Sequence, residues 1–550
     1  MKILLITAAS ALAVAAAAPA VAQHQHHVPP RAAEPAAKKP AAKKPAAKKP
    51  AAKKPAAKKV VARKPATSAQ AKKKPAAKTA PLKPSDAHSG HAAVSPPAAQ
   101  QPQAPVDHSQ MDHSQMDHSQ MDHSAHGTAA TPQAAPTDHS EMDHSHMAHG
   151  PAASGHEGHG AMSGALGPYP MTRESSGTAW QPDASEHMGL HVASGDWTLM
   201  AHGVLNLVYD HQSGPRGDDK AFASGMVMGM ARRPLGNGTL QLKAMLSPDP
   251  LMGKRGYPLL LASGETADGH ERLVDRQHPH DFFMELSASV SQNLGRNSSL
   301  FLYAGLPGEP AFGPPAFMHR EAIMDSPEAP ITHHWLDSTH ISFGVLTAGL
   351  VLGRAKLEVS RFNGREPDQH RWNIETGPLD STAVRLSWNP TRQLSFQGSW
   401  GRFKEPEQLE PGVNQTRWSA SALYAGEVAP GWKLAGTLAW GRKTIDHHGH
   451  PFRDDAFAAE ASLKHRGWTA FGRAEMTENR ELVADPHEHT PAYRVGKLSV
   501  GAVRDFRIAP NWSVGAGGLF AVNFVPRDLA PLYGGSNPTG AMAFVRLKLD

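Results

Sequence analysis

Residues 541–550, Ala541-Met-Ala-Phe-Val-Arg-Leu-Lys-Leu-Asp550, alternate without interruption. Ala541, Ala543, Val545, Leu547 and Leu549 fall on one face of an extended strand, while Arg546, Lys548 and Asp550 share the other. The same period of two recurs upstream. Trp432, Leu434, Gly436, Leu438 and Trp440 alternate with Lys433, Ala435, Thr437 and Ala439. Trp468 to Met476 and Trp512 to Phe520 behave likewise. Alternation held over ~10 residues exceeds the ~5–6 of an average soluble strand and fits the ~9–11 that a tilted strand needs to cross a bilayer. Such segments are expected to begin near 197, 220, 238, 281, 298, 339, 349, 380, 393, 414, 431, 453, 467, 493, 511 and 540.

Between these segments the connections alternate in length. The short ones are 232–237, 293–297, 347–348, 389–392, 428–430, 465–466 and 508–510. The longer ones are 210–219, 248–280, 307–338, 362–379, 404–413, 444–452, 479–492 and 525–539. Tight turns at one end and long loops at the other are the layout of an outer-membrane barrel, with the turns in the periplasm. The expected fold is therefore all-β: a transmembrane antiparallel up-and-down β-barrel of about 16 strands over 196–550, preceded by a long disordered tail. Trp388, Trp400, Trp418, Trp432, Trp440, Trp468 and Trp512 sit mostly at strand ends, as an interfacial girdle would place them. A barrel of this size should enclose an aqueous lumen. Arg354, Lys356, Glu358, Arg385, Lys433, Glu460, Lys464, Arg473, Glu475, Arg546 and Lys548 are expected to face it.

Composition agrees. The mean hydropathy of −0.44 is too polar for a multi-span helical membrane protein, and the absence of cysteine excludes disulfides and thiolate sites. The net charge of +6 conceals a bipolar chain, because Arg31 to Lys83 alone holds 18 basic residues and one acid, leaving the remainder acidic. Residues 1–22 read as a secretory signal, with Lys2, the apolar run Ile3 to Ala18 and the Ala20-Val21-Ala22 cleavage site. Residues 23–106 form a Lys/Pro/Ala-rich tether built on the repeat Ala-Ala-Lys-Lys-Pro, with extended, partly polyproline-II character. Export argues against a nucleic-acid partner, so anionic cell wall or lipid head groups are the expected counter-surface.

Residues 107–163 change chemistry. Asp-His-Ser recurs with methionine between copies, so that His108, Met111, His113, Met116, His118, Met121, His123 and His126 are followed by His139, Met142, His144, His146, Met147 and His149. Thioethers favour Cu(I) and Ag(I), while imidazole accepts Cu(II), Cu(I) or zinc. A zinc-binding tract would not need so much regularly placed methionine, so bound copper or silver ions are expected. Residues 164–195 read as a linker or periplasmic lead-in. Within the barrel, possible ligands crowd the long loops: His278 and His280; His319, His333 and His334, with Asp337 and His340 close by; His447, His448 and His450; and His487 and His489. The loops 248–280 and 307–338 are long enough to fold inward. Ser287, Ser289 and His280 give only a faint hint of a lipid hydrolase.

A signal, a tract such as Met111-Asp112-His113-Ser114-Gln115-Met116 and a C-terminal barrel together resemble the proteobacterial copper-resistance outer-membrane proteins of the B component. The barrel segments Asp275-Arg-Gln-His-Pro-His-Asp281, Leu306-Pro-Gly-Glu-Pro310 and Phe362-Asn-Gly-Arg-Glu-Pro367 instead look like an uncharacterised group of exported proteins. The first resemblance implies a non-enzymatic role in holding or exporting excess copper, without a catalytic cofactor. An ordinary diffusion porin with an ancillary tail is the alternative.

Overall fold

The structure, a computed structural model, describes residues 162–186, 189–447, 449–483 and 491–550. The period-two stretches become strands, in chain order β1 (Leu190–Ser194), β2 (Trp197–Gln212), β3 (Asp219–Leu235), β4 (Gly238–Leu246), β5 (Tyr257–Thr266), β6 (Arg272–Gln277) and β7 (Phe283–Gly295). There follow β8 (Ser298–Gly305), β9 (Val345–Leu352), β10 (Ala355–Phe362), β11 (Ser381–Trp388), β12 (Leu394–Phe403) and β13 (Asn414–Ala429). The remainder are β14 (Trp432–His447), β15 (His450–His465), β16 (Trp468–Asn479), β17 (Tyr493–Ala509), β18 (Trp512–Phe524) and β19 (Thr539–Leu549). Leaving out β1, β5 and β6, each strand pairs antiparallel with the next, and β19 returns to pair with β2, Gly540–Leu549 against Gly203–Gln212. Sixteen strands thus close into a barrel without a free edge, as backbone polar groups within lipid require.

Alternation sorts the two faces. On β19, Met542, Phe544 and Arg546 are buried inside while Val545 and Leu547 are exposed outside. Leu207, Val227, Leu302, Leu386, Leu438 and Val500 continue an apolar outer surface around the wall, Leu438 being 65% and Val227 60% exposed. Exposed Trp388, Trp432 and Trp468 mark the short-turn rim. A closed barrel with an outward apolar belt and rim tryptophans is an outer-membrane barrel.

Several expectations need correction. The strands expected at 339 and 349 begin at Val345 and Ala355, so the turn is at Gly353-Arg354 and not at 347–348. Residues 339–343 are buried on both parities and belong to an inward loop, while Gly353 supplies the positive φ of 61° that the turn needs. The expected loop 444–452 is largely taken up by strand, because β14 and β15 stay paired out to His447 opposite His450. The hairpin β5–β6 lies inside a stretch read as plain loop. β1 lies inside the lead-in and covers Trp197–Ala201 of β2, which β19 does not reach. Arg354 sits exposed in the turn, and Lys433 is exposed near the rim, paired with Glu186 at 2.7 Å; neither faces the lumen centrally.

The largest difference concerns the lumen, which is packed with chain. Loop 306–344 runs inside, almost wholly buried. Arg320 forks onto Glu460 of β15 (2.7 and 2.8 Å) and also reaches Asp337. Arg473 of β16 and Lys497 of β17 meet Glu328, and Arg546 of β19 meets Asp325 at 2.8 Å. On the other side, the Ala311 and Gly313 amides donate to Ser360 of β10 and Ser399 of β12. The loop before β7, with Leu259, Leu260 and Leu261, packs against Phe471, Val503, Leu519 and Phe544 of the opposite wall. Residues 163–183 occupy the short-turn end. There Arg173 grips Asp183 (2.6 and 2.8 Å) and the Gly353 carbonyl, and Leu166, Tyr169 and Trp180 pack on Phe301 and Val351. The polar wall expected to line water instead pairs with these insertions and with itself: Lys356 and Arg385 with Glu358, and Arg473 with Glu475.

Candidate metal centre

The two inward loops meet at a group of histidines. His278 and His280 lie in the extended chain after β6, so both project to one side. There they meet a short helical turn, His333–Leu336, and the 3-10 turn Ser338–His340. The ring of His280 is 5.1 Å from that of His340, His333 is 5.2 Å from His340 and 5.5 Å from His334, and His278 is 5.8 Å from His334. His278, His333, His334 and His340 are all buried.

Each ring is held by its Nδ1. His280 donates to Asp249 and His333 to Asp337, each at 2.8 Å; His334 donates to Glu366 at 3.2 Å. His340 donates to the Asp337 carbonyl at 2.7 Å, and His278 faces the Pro279 carbonyl at 3.3 Å. An ionised carboxylate or a carbonyl only accepts, so Nδ1 carries the proton and Nε2 presents its lone pair. The Nε2 atoms of His280 and His340 are buried without hydrogen-bond partners. Carboxylate-anchored imidazoles with free Nε2 atoms are the usual outer arrangement of histidine metal ligands.

Burial keeps three of the rings in the neutral form that can bind an ion. Burial pushes His278 and His340 well below the ordinary imidazole value, and His333 is also lowered by burial, against the opposing pull of Asp337. His334 is raised because Glu366 outweighs its burial. Burial lifts Glu265, 3.2 Å from His278 Nε2, to about 8, although Arg371 bridges it to Asp281. Backbone strain marks the same hairpin: Leu261, Glu265 and Asp275 all have positive φ, of 72°, 51° and 55°.

The donor set suits a borderline transition ion such as Cu(II) or zinc. With M–N near 2.0–2.1 Å, imidazole centroids in a tetrahedral set stand roughly 5 Å apart, close to the 5.1 and 5.2 Å separations around His340. Among the described residues no three His, Asp or Glu side chains stand at ligand spacing as they are placed, so holding an ion would require ring rotation about anchored Nδ1 contacts.

The sequence-expected ligands therefore separate. His278, His280, His333 and His334 converge, with His340. His319, on the same loop, turns elsewhere and meets His202 of β2 at 6.2 Å. His447 and His450 are partners in the backbone register at the end of the β14–β15 pair, and His450 is exposed. His448, His487 and His489, the signal, the tether and every tail ligand from His108 to His149 lie outside the described residues. Asp249, Glu265, Glu366 and Arg371 were not singled out from sequence; Glu366 lies in the segment Phe362-Asn-Gly-Arg-Glu-Pro367, but only folding brings it to His334. The faint hydrolase pattern is not assembled: Ser287 donates to Glu285 at 2.7 Å, and among the described residues no hydrogen bond joins it to His280.

No protein-family model matches the chain, and no curated protein matches it either. Solved structures similar to it include a porin at 12% identity, covering 64% of this chain and 99% of that one with a TM-score of 0.35. Another is Salmonella typhi OmpF in complex with daunomycin, at 10% identity and TM-score 0.42, covering 65% of this chain and all (100%) of the other. A third is an anion-selective porin from Comamonas acidovorans, at 13% identity and TM-score 0.37, covering 64% and 99%.

Proposed function

We propose that this porin-like outer-membrane barrel handles copper or silver ions, holding them at the histidines between its two inward loops and on the Met/His-rich tail, which we place in the periplasm. The observation that carries the reading is the convergence of five imidazoles, anchored through Nδ1, with the Nε2 atoms of His280 and His340 buried and unpartnered. Burying such atoms without a partner costs about 1–3 kcal/mol each, a cost that a bound ion would offset. The tail adds soft ligands for the monovalent form, and the Lys-rich tether would hold it near anionic cell wall or lipid. Copper here is cargo and no reaction is required of the protein.

The test is copper tolerance of cells expressing the full chain against a His280→Asn/His340→Asn variant whose folding is checked by heat-modifiable gel mobility. Tolerance should fall in the variant; unchanged tolerance would overturn the reading. A general diffusion porin is the second reading, favoured by the closed sixteen-stranded architecture. Single-channel recording separates the two, since a diffusion porin must show a steady open conductance, whereas the packed interior leads us to expect little.

A further inference from the structure

Methionine is unevenly placed in the wall. β2, β3, β4 and β7 carry six methionines, Met200, Met226, Met228, Met230, Met245 and Met284, whereas the other twelve barrel strands carry only Met476 and Met542. On the inner face, Met200 is the direct cross-strand partner of Met230, and His202, two residues on, is the partner of Met228. Directly opposed side chains have Cβ atoms ≈4.5–5.5 Å apart, with i and i+2 stacked beside them. The four therefore form one compact patch of three thioethers and an imidazole. Met324 and His319 of the inward loop close over it, and these six side chains help to line a cavity of ≈100 Å³. His319 Nε2 is buried there without a hydrogen-bond partner.

Met200, Met228 and Met230 pack with Met226, Met245, Met284, Ile341 and Phe343, and beside this cluster the His319 Nε2 is left without a hydrogen-bond partner, which packing alone does not explain. His191, Glu174, Glu186, Glu321, Arg232 and Lys243 also border the cavity. Glu174, however, accepts from the Tyr169 hydroxyl, Glu186 is paired with Lys433 and Lys464, Arg232 donates to the Ser163 carbonyl and Lys243 is turned to Glu285 at 3.5 Å. Thioether and neutral imidazole are uncharged, soft donors, which select a monovalent soft cation over zinc or Cu(II). We infer that Met200, Met228, Met230, Met324, His202 and His319 form a Cu(I)/Ag(I) site inside the barrel, distinct from the histidine centre. This deepens the metal-handling reading by naming an oxidation state and a place for it.

The test uses the full chain in detergent with ¹³C-methyl methionine, titrated with Ag(I) as a redox-inert probe and carried past saturation of the tail methyls. Met200 and Met230 signals are assigned by Met200→Leu and Met230→Leu, which keep volume and leave the barrel heat-modifiable. Both signals should shift with Ag(I) and stay in place with Zn(II), and the double Leu variant should bind one equivalent of Ag(I) fewer. Shifts confined to tail methyls, or equal shifts with Zn(II), would overturn the inference. The shift is read on the wild-type chain; should a Leu variant not fold, Met200→Ile and Met230→Ile supply the assignment, and shifts confined to tail methyls remain a failure of the inference. Such a failure would leave the copper-tolerance test of His280 and His340 unaffected, so the two readings fall separately.

Discussion

At the scale of the residue, Gly264 sets the room that the histidine centre has. Its φ of 119° belongs to glycine, and a Cβ there would stand 2.7 Å from Cε1 and Nε2 of His334. Gly264→Ala should therefore push His334 off Glu366 and weaken Cu(II) binding at least several-fold, read by loss of nitrogen hyperfine structure in EPR of the full chain. Glu309 gives a pH signature. Burial raises its carboxyl to about 7, against the pull of Arg385. A raised carboxyl binds its proton more tightly when folded, so its contribution is complete below the ordinary pKa near 4.5 and is lost as pH climbs through about 7. The wild type should lose on the order of 2–3 kcal/mol between pH 5 and 8 through this group, and Glu309→Gln should flatten that slope in thermal unfolding. Singling out His278, His280, His333 and His334 was possible because histidine beside carboxylate in a long loop is visible in one dimension. Their anchors Asp249 and Glu366, and the left-handed backbone of Glu265, depend on contacts between distant segments and leave no local mark.

At the scale of the element, loop 306–344 is fastened as firmly as a strand. Arg320 is buried and serves two carboxylates from opposite directions, Asp337 on its own loop and Glu460 on β15. Removing it with Arg320→Ala strips both buried acids of the guanidinium that pairs them, Asp337 keeping only the hydrogen bond from His333, a change that costs about 3–5 kcal/mol. The heat-modified gel band should then appear at a clearly lower temperature, with Arg320→Lys falling between, since an ammonium keeps the charge and loses the fork. Element boundaries were legible wherever one face meets lipid, because there the period of two is enforced by solvent on each side. They failed at 339–343, where residues such as Ile341 and Phe343 are buried in company with His340 and Ser342 and no alternation survives, and the error carried the next turn from 353–354 to 347–348. β5 failed for the same reason: Leu259, Leu260 and Leu261 are fully enclosed, so the strand reads as a plain apolar run.

At the scale of the whole molecule, strand number and the short-then-long loop rhythm could be read directly, and the filling of the lumen could not. Sixteen strands set a circumference, but what occupies the enclosed volume is decided by loops whose partners lie across the barrel. In planar bilayers the wild type should conduct far less than an unobstructed barrel of equal strand number, and Arg320→Ala should raise that conductance; a wide, steady wild-type conductance would count against the packed interior.

The bracing also constrains biogenesis. Arg320 waits for Glu460, 140 residues downstream, and Glu328 for Lys497, 169 downstream. Asp325 takes Lys464 of β15 at 3.4 Å and Arg546 of the last strand at 2.8 Å. A nascent chain that has laid down only its first half can pair Arg320 with Asp337 but leaves Asp325 and Glu328 without their strand partners, so the intermediate must remain hydrated there until the later strands arrive. Drying of the centre then waits for the later strands, and any polypeptide truncated before residue 464 arrives at the membrane with Asp325 and Glu328 unmatched.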